Sequence, residues 1–111
     1  MLSSLFSKGK IGNCEIKNRL VVTAMVTIYC SKKGEATERY IRYHEEKAKG
    51  GWGLIVTEDY GVNAHCMGYK NIACLYNDDQ IASHRELTER VHKYGPKIFA
   101  QIYHGGRQSH S

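Results

Sequence analysis

The sequence contains no apolar run long enough to span a membrane. Its longest apolar stretch, Leu20 to Cys30, is interrupted by Thr23 and Thr27, whereas a transmembrane helix needs about 20 predominantly apolar residues. The first part of the chain also lacks the continuous apolar segment found in signal peptides. These absences predict a cytoplasmic protein with no membrane partner.

Cysteine patterns typical of metal centres are also missing. The four cysteines, at positions 14, 30, 66 and 74, include no Cys-x-x-Cys pair, so neither a zinc ribbon nor a ferredoxin-type cluster is indicated. The nearest approach to a ligand set is His65, Cys66, Cys74 and His84, but nothing in their spacing favours a site. We therefore predict no bound metal and expect reduced, structural thiols.

The basic residues do not form the patch expected of a nucleic-acid-binding protein. The net charge is +5, but the sixteen Lys and Arg residues are scattered from Lys8 to Arg107 and mostly interleaved with acids, which is typical of a solvated surface. With 41% hydrophobic and 24% charged residues, the chain has the composition of one globular domain or a piece of one. A nucleic-acid partner is not expected.

The first part of the chain has the patterns of a hairpin and a strand. The dipeptide Gly12-Asn13 predicts the turn of a short β-hairpin from Phe6 to Ile16, because it takes positive φ at low cost. The run from Leu20 to Met25 is nearly unbroken in its apolar character and rich in β-branched residues. It predicts a first strand buried on both faces of a parallel sheet.

Two helices are indicated farther along the chain. Thr37 is expected to cap the first, and Gly50-Gly51 to end it. Asn77-Asp78 is expected to cap the second, which would run to Tyr94 before Gly95-Pro96 stops it. The apolar stripes predicted for the two helices are Tyr40, Ile41, His44 and Ala48 in the first, and Ile81, His84, Thr88 and Val91 in the second.

Two further strands accompany these helices. The second strand, Leu54 to Thr57, closes on Glu58, which is expected at its carboxyl end. The third strand carries Ile98, Ala100 and Ile102 in alternation with Phe99, Gln101 and Tyr103, so the two sets are expected to face opposite sides of the sheet.

The order hairpin, strand, helix, strand, helix, strand predicts an α/β fold with a parallel sheet. A Rossmann-type sheet is disfavoured because the segment after the first strand, Met25 to Tyr29, contains no glycine. We therefore predict a partial (β/α)8 TIM barrel, formed by the hairpin, the first three strands and two helices. Such an arrangement leaves the lumen face, including Gln101, in water, and its open sheet edges favour self-association into homo-oligomers.

Barrels of this class bind ligands at the carboxyl ends of their strands. The segments to inspect are therefore Thr23 to Thr27, Glu58 to Gly61 and Gln101 to Arg107. The carboxamide of Gln101 offers a donor and an acceptor that could pair with the edge of a planar heterocycle. A structural hydrogen bond inside the barrel is an equally good interpretation of the same residue.

Six segments, spread over nearly the whole chain, carry a family resemblance by their order and spacing. They are Leu5-Phe6-Ser7, Lys17-Asn18-Arg19-Leu20, Gly53-Leu54-Ile55-Val56-Thr57-Glu58, Asn77-Asp78-Asp79-Gln80-Ile81, Leu87-Thr88-Glu89-Arg90-Val91-His92, and the run from Lys97 to Arg107. Together they resemble the N-terminal part of Old Yellow Enzyme type NADH:flavin oxidoreductases, and they are most similar to the branch containing 2,4-dienoyl-CoA reductases.

The resemblance implies that residues 1–111 are the N-terminal part of an FMN-binding β/α barrel domain. The enzyme would pass hydride from NADH or NADPH through FMN to a small-molecule acceptor, an activated C=C bond or similar. None of the family's catalytic residues is expected within this chain. By position, the implied FMN-binding residues are Thr23, Ala24, Met25, Val26, Asp59 and Gln101.

A rival hypothesis assigns no catalysis to the chain. Its exposed lumen face and open edges also suit a truncated half-barrel that self-associates, or the decayed remnant of an enzyme.

Overall fold

The computed structural model describes residues 2–109 of the chain. A short helix, α1 (Ser3–Phe6), precedes a two-stranded antiparallel sheet of β1 (Gly9–Ile11) and β2 (Cys14–Ile16). Gly12 turns the chain between them with φ of +55°. The predicted hairpin is confirmed, although only Gly12 of the turn dipeptide takes positive φ.

The second sheet is parallel and has β4 (Leu54–Gly61) at its centre. β6 (Lys97–Tyr103) pairs with β4 along nearly its whole length. β3 (Val21–Val22) pairs with the start of β4, and β5 (Ala73–Cys74) pairs with its end. Because β6 occupies one edge of β4, β3 and β5 share the other edge. This arrangement confirms an α/β fold with parallel strands.

Helix α2 (Glu38–Lys49) follows the prediction closely. The hydroxyl of Thr37 accepts a hydrogen bond from the Tyr40 N–H, and Gly50 is the C-terminal cap. The buried residues of α2 are those of the predicted stripe, Tyr40, Ile41, His44 and Ala48.

Helix α3 (Ile81–His92) differs in one detail. It follows a 3₁₀ turn (Asp78–Gln80) capped by Asn77, and its buried residues are His84, Leu87 and Val91. Ile81, predicted to be buried, is 43% exposed, because it opens the helix and lies at its end. Leu87, which the predicted stripe omitted, packs in the core in its place.

Two strand predictions are wrong in their extent. The first strand was expected from Leu20 to Met25 with both faces buried, but β3 is two residues long and Met25 is 67% exposed. Burial on both faces requires packing on each face of the sheet, whereas the core lies on one face, between the sheet and helices α2 and α3. The second strand does not end at Glu58 but continues to Gly61, because pairing with β6 resumes beyond that residue.

The core lies between the parallel sheet and helices α2 and α3. Its fully buried members are Cys30, Tyr40, Ile41, Ala48, Ile55, Tyr60, Ala73, Leu87 and Val91. Within residues 2–109, no helix combines the length and the apolar character needed to cross a membrane.

Candidate functional site at the carboxyl end of the sheet

The centre of the candidate site is a contact between β4 and β6. Asp59 is the register partner of Gln101, and the Gln101 Nε2 donates a hydrogen bond of 2.7 Å to the Asp59 Oδ1. Register partners in adjacent strands point to the same face of a sheet. The two side chains therefore form one polar pair on the lumen face. Within residues 2–109, the side-chain oxygen of Gln101, Oε1, accepts no hydrogen bond.

A β-bulge in β4 creates this pair. Val56 stands opposite Phe99, but the next recorded partners are Asp59 and Gln101, so β4 has one residue more than β6 over this stretch. A bulge of this kind changes which side chains face the partner strand. If the same sequence continued from Val56 and Phe99 in a regular register, Glu58 rather than Asp59 would stand opposite Gln101.

Glu58 instead binds the loop that follows β3. The Thr27 N–H donates to the Glu58 Oε2 at 3.0 Å, and the Thr27 hydroxyl donates to Oε1. Glu58 is fully buried. Burial raises the pKa of its carboxyl, since it disfavours the charged form, and the hydrogen bonds from Thr27 oppose that rise. The side chain thus ties the loop after β3 to β4.

The loop tied by Glu58 has a strained backbone. Ile28 has φ of +54°, which is an outlier for a β-branched residue. Its side chain is 56% exposed, so packing does not explain the conformation. Hydrogen bonds on both sides of Ile28 account for its positive φ. The Thr27 N–H donates to Glu58, and the Tyr29 carbonyl accepts from the Thr37 hydroxyl.

The predicted site residues fall into two groups around β4. Asp59 and Gln101 are in contact on the β6 side. The predicted residues that follow β3 lie across β4, on the edge shared with β5, and connect to it through Thr27. In the described part of the chain, the main-chain groups of Ala24, Met25 and Val26 make no hydrogen bond outside the strand ladders. Their role as flavin contacts stays a prediction.

The sequence argument did not assign roles to Thr27 and Glu58. A carboxylate directly after an apolar, buried strand was the available signal, because a fully buried acid needs hydrogen-bond partners. The partner itself was not predictable, since Thr27 lies in a loop whose backbone conformation is irregular.

A buried polar chain links the same strand to the helices. The Tyr40 and Tyr60 hydroxyls lie 3.5 Å apart, and the Tyr60 hydroxyl lies 3.0 Å from the His84 Nδ1. The His84 Nε2 lies 3.0 Å from the Gly34 carbonyl oxygen. Since a carbonyl only accepts, Nε2 carries the proton and Nδ1 accepts from Tyr60. This chain of bonds connects β4 to α2, to α3 and to the loop at Gly34.

The cysteines and histidines considered in the sequence do not assemble into a ligand set. Within residues 2–109, no group of three or more His, Cys, Asp or Glu side chains is placed to hold a metal ion. Cys66 and Cys74 do lie close together, each sulfur 3.2 Å from the position of a Cβ on Gly61. However, His65 is exposed and His84 is engaged with Tyr60. Burial raises the pKa of the Cys74 thiol to about 11, so it is protonated at neutral pH.

Comparison with known proteins identifies relatives that cover nearly all of this chain. The chain is 45% identical to the NADH oxidase of Thermoanaerobacter brockii over 109 residues, which are 96% of the chain and 16% of that protein. It is 30% identical to the NADPH dehydrogenase of Listeria welshimeri, covering 97% of the chain and 32% of the relative. The chain therefore spans less than a third of the length of these relatives.

Solved structures agree with these relatives. The 2-naphthoyl-CoA reductase in complex with 2-naphthoyl-CoA superposes with a TM-score of 0.94 at 32% identity, over 99% of this chain and 17% of that one. Old Yellow Enzyme from Pichia sp. superposes with a TM-score of 0.84 at 30% identity, over 91% and 26%. The fold is thus part of the β/α barrel of these enzymes, as predicted.

The model of the NADH:flavin oxidoreductase / NADH oxidase family matches residues 4–111. This match covers nearly the whole chain and agrees with the relatives, the superpositions and the resemblance noted in the sequence. The chain belongs to the NADH:flavin oxidoreductase / NADH oxidase family.

Proposed function

We propose that residues 1–111 form the N-terminal part of an FMN-binding barrel domain in an oxidoreductase. The enzyme takes hydride from NADH or NADPH and passes it to a small-molecule acceptor with an activated C=C bond or a similar group. Within this chain the proposed FMN contacts are the main chain at Thr23, Ala24, Met25 and Val26, the rim residue Asp59, and the carboxamide of Gln101.

One observation carries the proposal: the Gln101–Asp59 pair and the main chain after β3 flank the same short stretch of β4. Glu58 binds Thr27 on one side, and Asp59, the next residue, binds Gln101 on the other. The two groups of proposed FMN contacts come from distant parts of the sequence and lie at one end of the sheet, which supports the proposal. Ligands of parallel β/α folds bind at this end.

The residues present fit a flavin. The ring system of FMN has a polar edge with alternating donors and acceptors, and it needs an apolar surface beside it. The side-chain oxygen of Gln101 and the main-chain groups of Ala24 to Val26 can form hydrogen bonds with the polar edge. The side chains of Met25 and Val26, which are 67% and 39% exposed, offer the apolar surface. When bound, FMN supplies a two-electron acceptor for hydride from the nicotinamide.

FMN binding by a Gln101→Leu variant tests the proposal. FMN is titrated into the protein, and binding is followed by flavin fluorescence and visible absorbance. Loss of the carboxamide removes a hydrogen-bonding group and leaves Asp59 without its donor. We expect the affinity to fall by about tenfold, the usual consequence of losing one such bond in a site.

Gln108→Leu is the matched control. Gln108 lies in the turn after β6, is exposed, and makes no side-chain hydrogen bond within the described residues. Its replacement should leave the FMN affinity unchanged. A wild-type protein that binds no FMN, or equal affinities for the two variants, would contradict the proposed site.

A second candidate function is favoured by exposed apolar side chains on the two faces of β6. Ile102 is 67% exposed and Phe99 is 36% exposed, and β6 pairs with β4 on one edge only among the described residues. Such a strand favours association with another chain. A colourless oligomer on size-exclusion chromatography would support a non-catalytic half-barrel, whereas a yellow protein would support the oxidoreductase.

A further inference from the structure

A cavity with two lysines opens beside the candidate site. It has a volume of about 260 Å³ and is lined by Lys32, Met67, Lys70 and Asn71, and we refer to it as the lysine cavity. Lys32 follows β3 and Lys70 precedes β5. No carboxylate lines the cavity. Within residues 2–109, neither ammonium group forms an ion pair, so its positive charge is not compensated.

The loops that carry the lysines are fixed to each other. The Cys30 N–H donates to the Asn71 carbonyl at 3.2 Å, and the Asn71 Nδ2 donates to the Cys30 carbonyl at 2.9 Å. Asn71 has φ of +62°, a conformation that Asn adopts more readily than most residues. Lys70 is adjacent to this tie and Lys32 lies two residues from it. The backbone segments that carry the two lysines are therefore fixed relative to each other.

The lysine cavity lies at the same end of the sheet as the Gln101–Asp59 pair. Met67, which lines it, has its Cγ 3.6 Å from the position of a Cβ on Gly61. Gly61 is the last residue of β4 and follows Asp59 by two positions, which is about 7 Å along a strand. A ligand with its reactive group at the rim can therefore place a second, anionic group in the cavity.

We propose that the lysine cavity binds a phosphate group of the small molecule on which the proposed oxidoreductase acts. Ammonium groups are effective point-charge partners of phosphate. The cavity is smaller than the roughly 300–1,000 Å³ of a site for a whole ligand, so it suits a terminal group. The ligand's identity rests on the proposed function, whose nicotinamide coenzyme is one source of phosphate. A second is an acceptor carried as a coenzyme A thioester, the kind of ligand present in the superposed 2-naphthoyl-CoA complex.

Titration of pyrophosphate, NADH, NADPH and coenzyme A into the protein, followed by calorimetry, tests this assignment. The variant is Lys32→Gln/Lys70→Gln. We expect its affinity for pyrophosphate to be at least about tenfold below that of wild type, because charge-assisted hydrogen bonds are lost. Wild-type binding should also weaken as salt increases.

The matched control is Lys10→Gln/Lys93→Gln, which removes the same charge from exposed lysines elsewhere on the surface. It should bind pyrophosphate as wild type does. Both double variants should unfold at the wild-type temperature, since all four side chains are exposed. Lysine-dependent binding of NADPH or NADH would assign the cavity to the coenzyme, and such binding of coenzyme A would assign it to the acceptor.

Three results would overturn the inference: no binding of any probe, equal affinities for wild type and Lys32→Gln/Lys70→Gln, or an equal loss in the control. Pyrophosphate binding without lysine-dependent binding of a nucleotide would overturn the ligand class. The FMN titration separates the two proposals. Lysine-dependent pyrophosphate binding by a protein that never binds FMN contradicts the proposed function alone, and the reverse contradicts the lysine cavity alone.

Discussion

At the scale of single residues, His44 is one of the groups that make the stability of the chain depend on pH. It is buried in α2, and neither ring nitrogen has a hydrogen-bond partner within the described residues. Burial, with a smaller contribution from Lys47, lowers the pKa of His44 from 6.5 to about 4. The ring therefore stays neutral in the folded chain at pH values where it is charged in the unfolded chain.

The expected consequence is a loss of stability in weak acid. As the pH falls from 6.5 to 4, the unfolded chain takes up a proton at His44 and the folded chain does not. The free energy of unfolding should decrease by up to about 3 kcal/mol over this window. Urea unfolding at several pH values measures it.

His44→Phe should reduce this pH dependence, leaving the part due to His84, whose pKa burial also lowers. Phenylalanine also suits the edge-on contacts with Tyr40 and Tyr43. The control His92→Phe, at an exposed position, should leave the pH dependence unchanged. An unaltered profile for His44→Phe would contradict the assignment.

Gly34 is required for two reasons, its positive φ and the close approach of Cys74. Its φ is +76°, and a Cβ there would lie 2.3 Å from the Cβ of Cys74. Gly12 also has positive φ, at +55°, but no atom lies within 4 Å of its Cβ position. Gly34→Ala should therefore destabilise the fold by about 3 kcal/mol and Gly12→Ala by about 1 kcal/mol. Equal losses, measured by urea unfolding, would show that the contact with Cys74 relaxes freely.

At the scale of secondary-structure elements, Arg90 connects the two long helices. From α3 it reaches Glu38 at 2.8 Å and Glu45 at 2.5 Å, both on α2. Hydrogen bonds from Arg90 and Arg42 lower the pKa of Glu38 from 4.5 to about 2. The contribution of this carboxylate is present above pH 4.5 and is lost as the pH falls through about 2.

Arg90→Gln should lower the unfolding temperature, because α3 loses its ion pairs with Glu38 and Glu45 on α2. The difference from wild type should shrink between low salt and 1 M salt, since exposed ion pairs are screened. Arg42→Gln is the control, because Arg42 bonds only to Glu38 on its own helix. Its effect should be clearly smaller. A salt-independent loss for Arg90→Gln would indicate packing rather than charge.

The tie between Thr27 and Glu58 is a second contact between elements. Thr27→Val removes the hydroxyl that donates to the buried Glu58. The expected loss is about 1–3 kcal/mol, the cost of leaving a buried polar atom without a partner. The control is Thr88→Val, because Thr88 donates to the Arg85 carbonyl within one helix. Similar urea midpoints for the two variants would mean that water replaces the lost donor.

The elements also show what the sequence could predict. Helix α2 was predicted well because its cap at Thr37, its apolar stripe and its end at Gly50 are local features. The carboxyl end of β4 was not predicted, because the bulge before Asp59 depends on pairing with β6, some forty residues away. The strand β5 was missed because Ala73–Cys74 is too short to form a pattern. For the same reason, the sequence could name Gln101 but not its bond to Asp59.

At the scale of the whole molecule, the chain is elongated, with extents of 50 × 27 × 23 Å. Within residues 2–109, one edge of the long strand β6 has no partner strand, and its apolar residue Ile102 is exposed. The chain expressed alone should therefore self-associate, and Ile102→Lys should shift it toward the monomer, because a charge on an exposed strand opposes pairing. Size-exclusion chromatography with light scattering measures the mass.

The control for this prediction is Ile11→Lys. Ile11 is 47% exposed but belongs to the separate hairpin sheet, so its replacement should leave the mass unchanged. A monomeric wild-type chain, or an oligomer insensitive to Ile102→Lys, would contradict association through β6.

The bulge in β4 has a consequence for protein engineering. Deleting Thr57 would remove the extra residue: with Val56 still opposite Phe99, Glu58 would stand opposite Ala100 and Asp59 would stay opposite Gln101. The deletion would therefore change the position of Glu58 and leave the Gln101–Asp59 pair in register. No single substitution does this, because a substitution leaves the strand the same length. Mutagenesis libraries that vary only residue identity will therefore never sample this change, and libraries that also vary strand length will.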